Sequence, residues 1–436
     1  MNEALKSGRR AFLKKGSAAI AGSTVFATFP ANLSAYAGGS DQVKIGLIGC
    51  GGRGAGAAVQ ALKASKAVKL VSMCDTFRDR VDGSYSAILD NVEAGQVDVP
   101  ESNKFVGLDA YEKVIALSDA VLLATPPPFR PIHFEAAIQA NKHVFMEKPL
   151  AVDVPGYHKT MEVSKLADQK KLTVVVGLQN RYDIGYQELL KKIQGGTIGD
   201  IVSIDVYYNV GAPTIHPRVA GQTEMEYQIR NWRYFTWLWG GQLAGQTIHQ
   251  IDVMNWMMKD FPIQAKGIGG RQVFNGPNQG NTYDHHYVEF EYPDGTKMHV
   301  QSRNIDNCWN KMGFQVYGKS GSADEKSRIY DNTNQIVWRH DDRNAPNPYQ
   351  VEHDVFFDCI FNNTPRNDTE WGANSTLTTI MGRMAMHSGQ VMNLEDVLKS
   401  KRSLLPEQFT WDAKMPDMPD ESGNYPTPMP GISNVM

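Results

Sequence analysis

The chain is predicted to hold an α/β domain on a parallel sheet, followed by an α+β domain on a large open antiparallel sheet. Three observations carry this reading. From Val43 to Leu178 short apolar runs alternate with helical segments, the pattern that right-handed crossovers impose on a parallel sheet. From Ile201 to Tyr317 the runs are longer and often alternate in polarity, as strands with one buried face do. The first run, Val43 to Ile48, breaks into Gly49-Cys50-Gly51-Gly52-Arg53-Gly54 and resumes as an Ala-rich segment, so a strand passes through a tight turn into a helix.

Of the residues, 42% are apolar and 21% charged, an ordinary composition for soluble domains, and 436 residues suffice for two of them. The divisions read from composition are a leader over 1–37, a first domain over 38–172, a second over 173–350, and C-terminal helices with a Pro-rich tail over 351–436 that packs back on the body. The leader carries Lys6, Arg9, Arg10, Lys14 and Lys15 against Glu3, then an uncharged run from Gly16 to Phe29 and the small residues Ala35-Tyr36-Ala37. That order reads as a cleavable export signal, and Arg9-Arg10 followed by Phe12-Leu13-Lys14 resembles a twin-arginine leader, with Gly8 where Ser or Thr is usual. The expected location is periplasmic or otherwise exported. The apolar run is too short for stable membrane insertion. With a formal charge of −3 and a basic leader, the remainder is acidic, which argues against nucleic acid as partner. Cys50, Cys74, Cys308 and Cys359 match neither a disulfide framework nor a zinc site, and no metal is expected.

The turn glycines Gly49, Gly51 and Gly54 have the dinucleotide spacing: one makes the turn, one admits a pyrophosphate, one lets helix and strand approach. Gly52 and Arg53 lie within the same loop. The second strand, Val68 to Met73, runs into Asp75, roughly twenty residues beyond the last glycine, where an acid accepts a ribose hydroxyl. Arg78 and Arg80 follow closely and could meet a 2′-phosphate, so NAD is expected with NADP as the alternative. Ala120 to Ala124 is a buried strand ending in Thr125-Pro126, His133 to Ala140 a helix, and His143 to Met146 a strand ending in Glu147-Lys148-Pro149. Each of these ends lies at a carboxyl edge of the sheet, where ligands bind. Tyr157 to Lys171 is a helix and Leu172 to Leu178 a further strand. Gln179, just beyond it, joins the cofactor candidates, and Arg181 the substrate candidates.

In the second domain, strands are expected at Ile201 to Val210, Lys266 to Phe274, Tyr283 to Tyr292, Thr296 to Asn304 and Phe314 to Tyr317, with Pro293-Asp294-Gly295 as a turn. His286, Val288, Phe290 and Tyr292 share one face, and His285, Tyr287, Glu289 and Glu291 the other. Gly241 to Lys259 reads as a helix carrying Gln242, Gln246, His249 and Asp252 along one stripe. The tail from Leu404 is expected along the surface.

Two groups suit acid–base work. Lys148, at a strand end facing the cofactor site and followed by a proline, gains a lowered pKa if partly desolvated. His249 can relay a hydroxyl proton near neutral pH, with Asp252 one turn on to orient it. Trp232, Tyr234, Trp237 and Trp239 offer aromatic faces to the apolar side of a ligand, and Tyr283, Asp284, His285, Arg303 and Trp309 are candidates on the sheet.

The order Gly-rich loop, Thr125-Pro126, Glu147-Lys148-Pro149, Gly240-Gly241 and His249-x-x-Asp252 resembles the superfamily of glucose-fructose oxidoreductase, inositol dehydrogenase and rhizopine-catabolism proteins (Gfo/Idh/MocA). The resemblance covers nearly everything after the leader. It implies a Rossmann domain, an open antiparallel sheet, a carbohydrate held between them over the nicotinamide, and Lys148 with His249 as the catalytic pair. It also exposes a departure: Gly245 stands where many members have a catalytic Asp, so Gln246, Asp284 or another group must supply that contact. The function implied is an exported NAD-dependent sugar or glycoside oxidoreductase acting at a ring carbon such as C3, with the cofactor tightly held. The alternative is a redox-neutral NAD-dependent glycosidase or lyase working by transient C3 oxidation and elimination. The open sheet face suggests a homo-oligomer.

Overall fold

The computed structural model describes residues 42–436; the leader read as an export signal lies outside the described residues. Six strands form the first sheet: β1 (Val43–Ile48), β2 (Val68–Asp75), β3 (Lys104–Val106), β4 (Ala120–Leu123), β5 (His143–Glu147) and β6 (Val174–Gly177). Their spatial order is β3-β2-β1-β4-β5-β6 and every pairing is parallel. The order reverses between β1 and β4, so the crevice for a ligand opens where the Gly-rich turn leaves β1. β6 carries the parallel sheet past residue 172, and the change to longer strands follows Gly177. Every residue of β4 and β6 is buried, because helices cover both faces of a parallel sheet.

The second sheet has nine strands: β7 (Ile201–Val210), β8 (Gln264–Gly270), β9 (His285–Glu291), β10 (Lys297–Asn304), β11 (Lys311–Gly318), β12 (Gly321–Asp324), β13 (Arg328–Asp331), β14 (Ile336–Arg339) and β15 (Met392–Asn393). The order is β14-β13-β12-β11-β7-β10-β9-β8-β15. The sheet is mixed rather than purely antiparallel, since β10 lies parallel to β7 and continues its register from Ser203–Lys297 to Val210–Asn304. β8 stops at Gly270 rather than near Phe274, because the backbone amides of residues 272–274 turn onto the carboxylate of Asp284.

Alternation along β9 follows the expected faces: His286, Val288 and Phe290 are buried, while His285 and Tyr287 are exposed. The buried face packs on the 20-residue helix Thr369–Ser388 and the helix Ile248–Met258, joining Phe290, Val300, Phe314, Met381 and Ile251 in one core. A side chain at Gly382 would meet the Phe290 ring at 2.6 Å, so glycine lets the long helix lie directly on the sheet. The other face displays Ile268, Tyr287 and Tyr317.

The chain then crosses back. Helix Pro348–Phe361 packs on helix Gly52–Ala64, where Gln350 Nε2 donates to Gln60 O at 2.9 Å and Phe356 meets Phe145 edge-on. The tail lies over the body as a plug rather than a loose surface strap: Met415 and Tyr425 are buried among Phe235, Trp237 and Phe274. No helix among the described residues is long and apolar enough to cross a membrane.

Candidate functional site

A cleft of about 580 Å³ opens beyond the carboxyl ends of β1, β2, β4 and β5. Its cofactor wall begins with Gly49, which has φ +101° and whose amide donates to Cys74 O at 2.9 Å. A Cβ there would stand 2.6 Å from the Thr125 amide nitrogen, and one on Gly54 would stand 2.0 Å from Gly49 O. Side chains on Gly51 and Gly52 would meet nothing within 4 Å, for both face the open cleft. Helix Gly52–Ala64 starts here with no side-chain cap and no acid in its first turn. Its free N–H groups and positive dipole end therefore face the cleft, which is what a pyrophosphate requires.

Asp75 ends β2 and binds the turn itself, accepting from the Cys50 amide at 2.7 Å through Oδ2 and from the Phe77 amide at 3.1 Å through Oδ1. Burial raises its pKa, and those donors oppose the rise. Oδ1 also accepts from the Thr76 hydroxyl at 3.2 Å, so Oδ2 is the oxygen that keeps a lone pair for a ribose hydroxyl. Arg78 turns away into Asp82 and Glu101, whereas Arg80 lines the cleft. Thr125 and Pro126 follow β4, and buried Arg130 ties their loop to β5 by donating to both Thr125 O and Pro149 O.

At the end of β5, Glu147 is buried and paired with Arg53 at 2.7 Å, and Gly177 leaves space for its carboxylate. Lys148 reaches across the cleft, its Nζ donating to Gly245 O at 2.8 Å. Burial lowers its pKa to about 8; Glu147 opposes that shift, and Arg130, Arg233 and Arg53 add to it. His249 opens helix Ile248–Met258 with no acceptor or donor for its Nδ1 among the described residues. Burial, with Lys148 and Arg53 nearby, holds its pKa well below the ordinary histidine value, so the imidazole is neutral.

The expected helical stripe does not stay on one face. A five-residue π turn, Leu243–Thr247, precedes the α-helix. Each three-residue step along an α-helix also drifts by about 60°. Gln246 and His249 line the cleft; Gln242 is buried and donates to Tyr208 O. Asp252 is fully buried and held bidentately by Arg181 at 2.8 and 2.9 Å, with Ser375 donating at 2.7 Å, so it does not orient His249.

Several other candidates lie outside the cleft lining. Gln179 is buried beside Asn180. Trp237 is core, its indole N–H donating to Gln228 Oε1 at 2.6 Å. Tyr283 donates to Pro428 O, and Asp284 accepts three backbone amides and pairs with exposed His285. Arg303 bonds the Trp309 carbonyl on the sheet. The sheet's face explains these placements, since β9 and β10 present their ends to the tail and solvent rather than to the turn after β1. Trp232 does line the cleft.

Gly245 has a direct explanation. A Cβ there would stand 1.8 Å from Trp239 Nε1, so the indole occupies the space an aspartate would need. Trp239 itself lines the cleft, packed edge-on against Trp232. Residues the sequence did not single out complete the walls: Tyr208 near the end of β7, His216 and Arg233 from connecting segments, and Tyr349 from helix Pro348–Phe361 beneath the Arg53 guanidinium. Position at a strand end was a usable signal for Tyr208. None existed for Tyr349, which arrives from the far end of the chain.

A glycine-lined helix start, an acid after β2 and a lysine after β5, all facing a second sheet domain, define a dinucleotide-dependent two-domain oxidoreductase class. The chain belongs to the Gfo/Idh/MocA family: residues 43–178 match its oxidoreductase, NAD-binding Rossmann fold and residues 186–324 its C-terminal domain. Inositol 2-dehydrogenase 3 of Saccharopolyspora erythraea is 30% identical over 47% of this chain and 54% of its own length. The 2,7-anhydro-N-acetylneuraminate hydratase of Escherichia coli is 29% identical over 47% of this chain and 51% of its own. The chain thus spans about half the length of these relatives. The solved structure of scyllo-inositol dehydrogenase from Lactobacillus casei with NAD(H) and scyllo-inositol shares the fold, with TM-score 0.60, 18% identity and coverage of 81% of this chain and 99% of that one.

Proposed function

We propose that the protein is an exported, NAD-dependent oxidoreductase acting on a secondary hydroxyl of a carbohydrate at a ring carbon such as C3. The observation that carries this is Lys148, whose Nζ lies in the cofactor cleft, lowered to about 8 and anchored on Gly245 O, beside neutral His249. A nicotinamide cofactor, held by the glycine turn and Asp75, would supply the hydride acceptor. Lys148, as the free amine, takes the hydroxyl proton; neutral His249 holds the same oxygen by a hydrogen bond and fixes its orientation. Trp232 and Trp239 give the ring an apolar wall. The Thr125–Pro126 loop and Glu147, braced by Arg130 and Arg53, keep Lys148 aimed at the cofactor face.

The leader reading supports export by the twin-arginine route, and a protein outside the cytoplasm has no free NAD pool, which favours a tightly held cofactor. Asp75 favours NAD; Arg80 at the cleft keeps NADP as the competing form. The exposed apolar residues of the second sheet support pairing of copies through that face.

The hydratase relative supports a second reading, redox-neutral cleavage. In that reading a nicotinamide would take hydride from C3, which acidifies the C2–H; a base such as His249 removes that proton as the aglycone leaves C1 and takes up a proton, water adds to the resulting enone, and the same hydride returns to C3. Incubation with aryl glycosides and C2-deuterated glycosides separates the two. Stable ketosugar without cleavage is expected, and aglycone release with solvent exchange at C2 selects the second reading. Mass spectrometry of nucleotide extracted from purified protein tests retention; recovery of NAD is the expected result.

A further inference from the structure

Past Asp75 the cleft is walled by both domains. Phe77, Arg80 and Leu108 line it from the segments after β2 and β3, and Ile229, Arg230 and Trp232 face them from the second domain. A dinucleotide-binding turn receives the pyrophosphate at its helix start and a ribose at the acid after β2, so the end beyond Asp75 belongs to the adenosine half. An ion pair crosses this end. Arg230, the last residue of helix Glu224–Arg230, reaches Asp79 in the first turn of helix Arg78–Leu89, with Nη1 donating to Oδ2 at 2.8 Å and Nη2 to Oδ1 at 2.9 Å. Among the described residues it is the one ion pair that joins the parallel-sheet domain to the second domain.

Its seat ties it to the ribose acceptor. The Arg230 guanidinium carbon stands 3.7 Å from the centre of the Phe77 ring, and Phe77 gives its amide to Asp75 Oδ1. Asp75 is itself among the charges acting on Arg230. Trp411 of the tail packs on the same Phe77 ring, 6.2 Å between centres, so the support is fixed from a second side. A bidentate fork stacked on an aromatic ring holds one geometry better than a single surface contact does. The Arg230 side chain is 25% exposed and that of Asp79 59%, so the pair parts on the Asp79 side, toward solvent, without unpacking a core.

From the fork between domains, its stacking on Phe77 and its place beside the ribose acceptor, we propose that Arg230 and Asp79 form a latch over the adenosine end of the cofactor site, and that its opening sets the rate of dinucleotide exchange. This rests on the oxidoreductase reading and adds to it the residues responsible for cofactor retention. With the pair closed the cleft still measures about 580 Å³, in the range that houses cofactors, so the latch closes over a dinucleotide rather than competing with it.

The test loads the full chain with isotopically labelled NAD and follows its replacement by excess unlabelled NAD, with the dissociation constant measured separately at equilibrium. Arg230→Met keeps an apolar stem on Phe77 and removes the fork; Asp79→Asn removes the charge from an exposed position. Each is expected to speed exchange about tenfold, with Arg230→Lys in between. The double variant is no faster than either single one, because both remove the same contact. Entry and exit quicken together, so the dissociation constant moves less than the rates do. Salt of about 1 M, which screens a partly exposed pair, accelerates exchange in the parent protein more than in Arg230→Met. An unchanged rate in both single variants, effects that add in the double variant, or a dissociation constant that rises while entry keeps its parent rate overturns the proposal. Protein that takes up NAD but exchanges it equally fast in every variant defeats the latch alone, whereas parent protein that binds no NAD defeats the oxidoreductase reading with it.

Discussion

Lys148 and Gly245 meet through one hydrogen bond, and the two residues invite separate tests. With its pKa near 8, Lys148 is mostly protonated at neutral pH and becomes a base as pH rises. Oxidation should therefore accelerate as pH passes about 8 and level off above it, with no inflection from His249, which is neutral throughout. Lys148→Met should retain NAD, lose about 10²–10⁴-fold in turnover and lose that inflection. Full activity in the variant would remove Lys148 from the mechanism. Gly245→Ala drives a methyl into the Trp239 indole, whose Nε1 lies 1.8 Å from the new carbon. A well-packed aromatic has little room to retreat, so a stability loss of about 1–3 kcal/mol in denaturant unfolding is expected, with a shift in tryptophan emission. Here the sequence raised the right question, since it marked Gly245 as a departure. It could not answer it, because Trp239 is separated from Gly245 by a turn whose path depends on the π turn at Leu243–Thr247.

At the scale of elements, helix Ile248–Met258 shows how a regular spacing divides between function and structure. His249 faces the cleft, and Asp252 faces Arg181 and Ser375 in a buried network. Removing one partner of a buried ion pair leaves an uncompensated charge, so Asp252→Ala should cost about 3–5 kcal/mol in chemical denaturation. An unaltered unfolding midpoint would contradict that placement. Helix Pro348–Phe361 carries a different load. Glu352 is fully buried with neither carboxylate oxygen hydrogen-bonded, and burial, reinforced by Glu147, raises its pKa well above the usual carboxylate range. Neighbouring His353 gives its Nδ1 to the Tyr349 carbonyl and is pushed down to about 3, so the two are a neutral acid beside a neutral imidazole. The sign follows from proton uptake. Above the ordinary carboxylate range the unfolded chain releases the Glu352 proton and the folded protein keeps it, so stability falls as pH rises. Glu352→Gln should flatten that dependence and leave the protein at least as stable at neutral pH; a steeper profile in the variant counts against a protonated Glu352.

For the whole molecule, the C-terminal segment decides how the two sheets are held. Helix Pro348–Phe361 braces the parallel-sheet domain, helix Thr369–Ser388 underlies the second sheet, and the tail touches both, with Trp411 against Phe77 on the first and Tyr283 beside β9 donating to Pro428 O on the second. Asp153, at the start of helix Val154–Gln169, fastens the tail by accepting from the Leu404 amide at 2.8 Å. Deleting residues 404–436 uncovers Phe235, Trp237 and Phe274. The truncated protein should bind a hydrophobic dye and melt earlier than the full chain, and an identical melting curve would show that the tail is ornamental.

Local chemistry determined the parallel sheet, the glycine turn with Asp75, and Lys148 at a strand end. Those features depend on residues close in sequence: glycine where φ is positive, an apolar run where both faces are covered, a ligand-facing group where a strand stops. The faces of β9 were legible for the same reason, since a period of two needs no distant partner. Tertiary structure alone decided the rest. The parallel pairing of β7 with β10, the short strands β12 to β14, the withdrawal of Asp252, Tyr283 and Asp284 from the cleft, and the arrival of Tyr349 and Arg233 within it all depend on contacts between segments far apart in the chain. Such contacts are settled by which surfaces bury one another, and no window of sequence contains both partners.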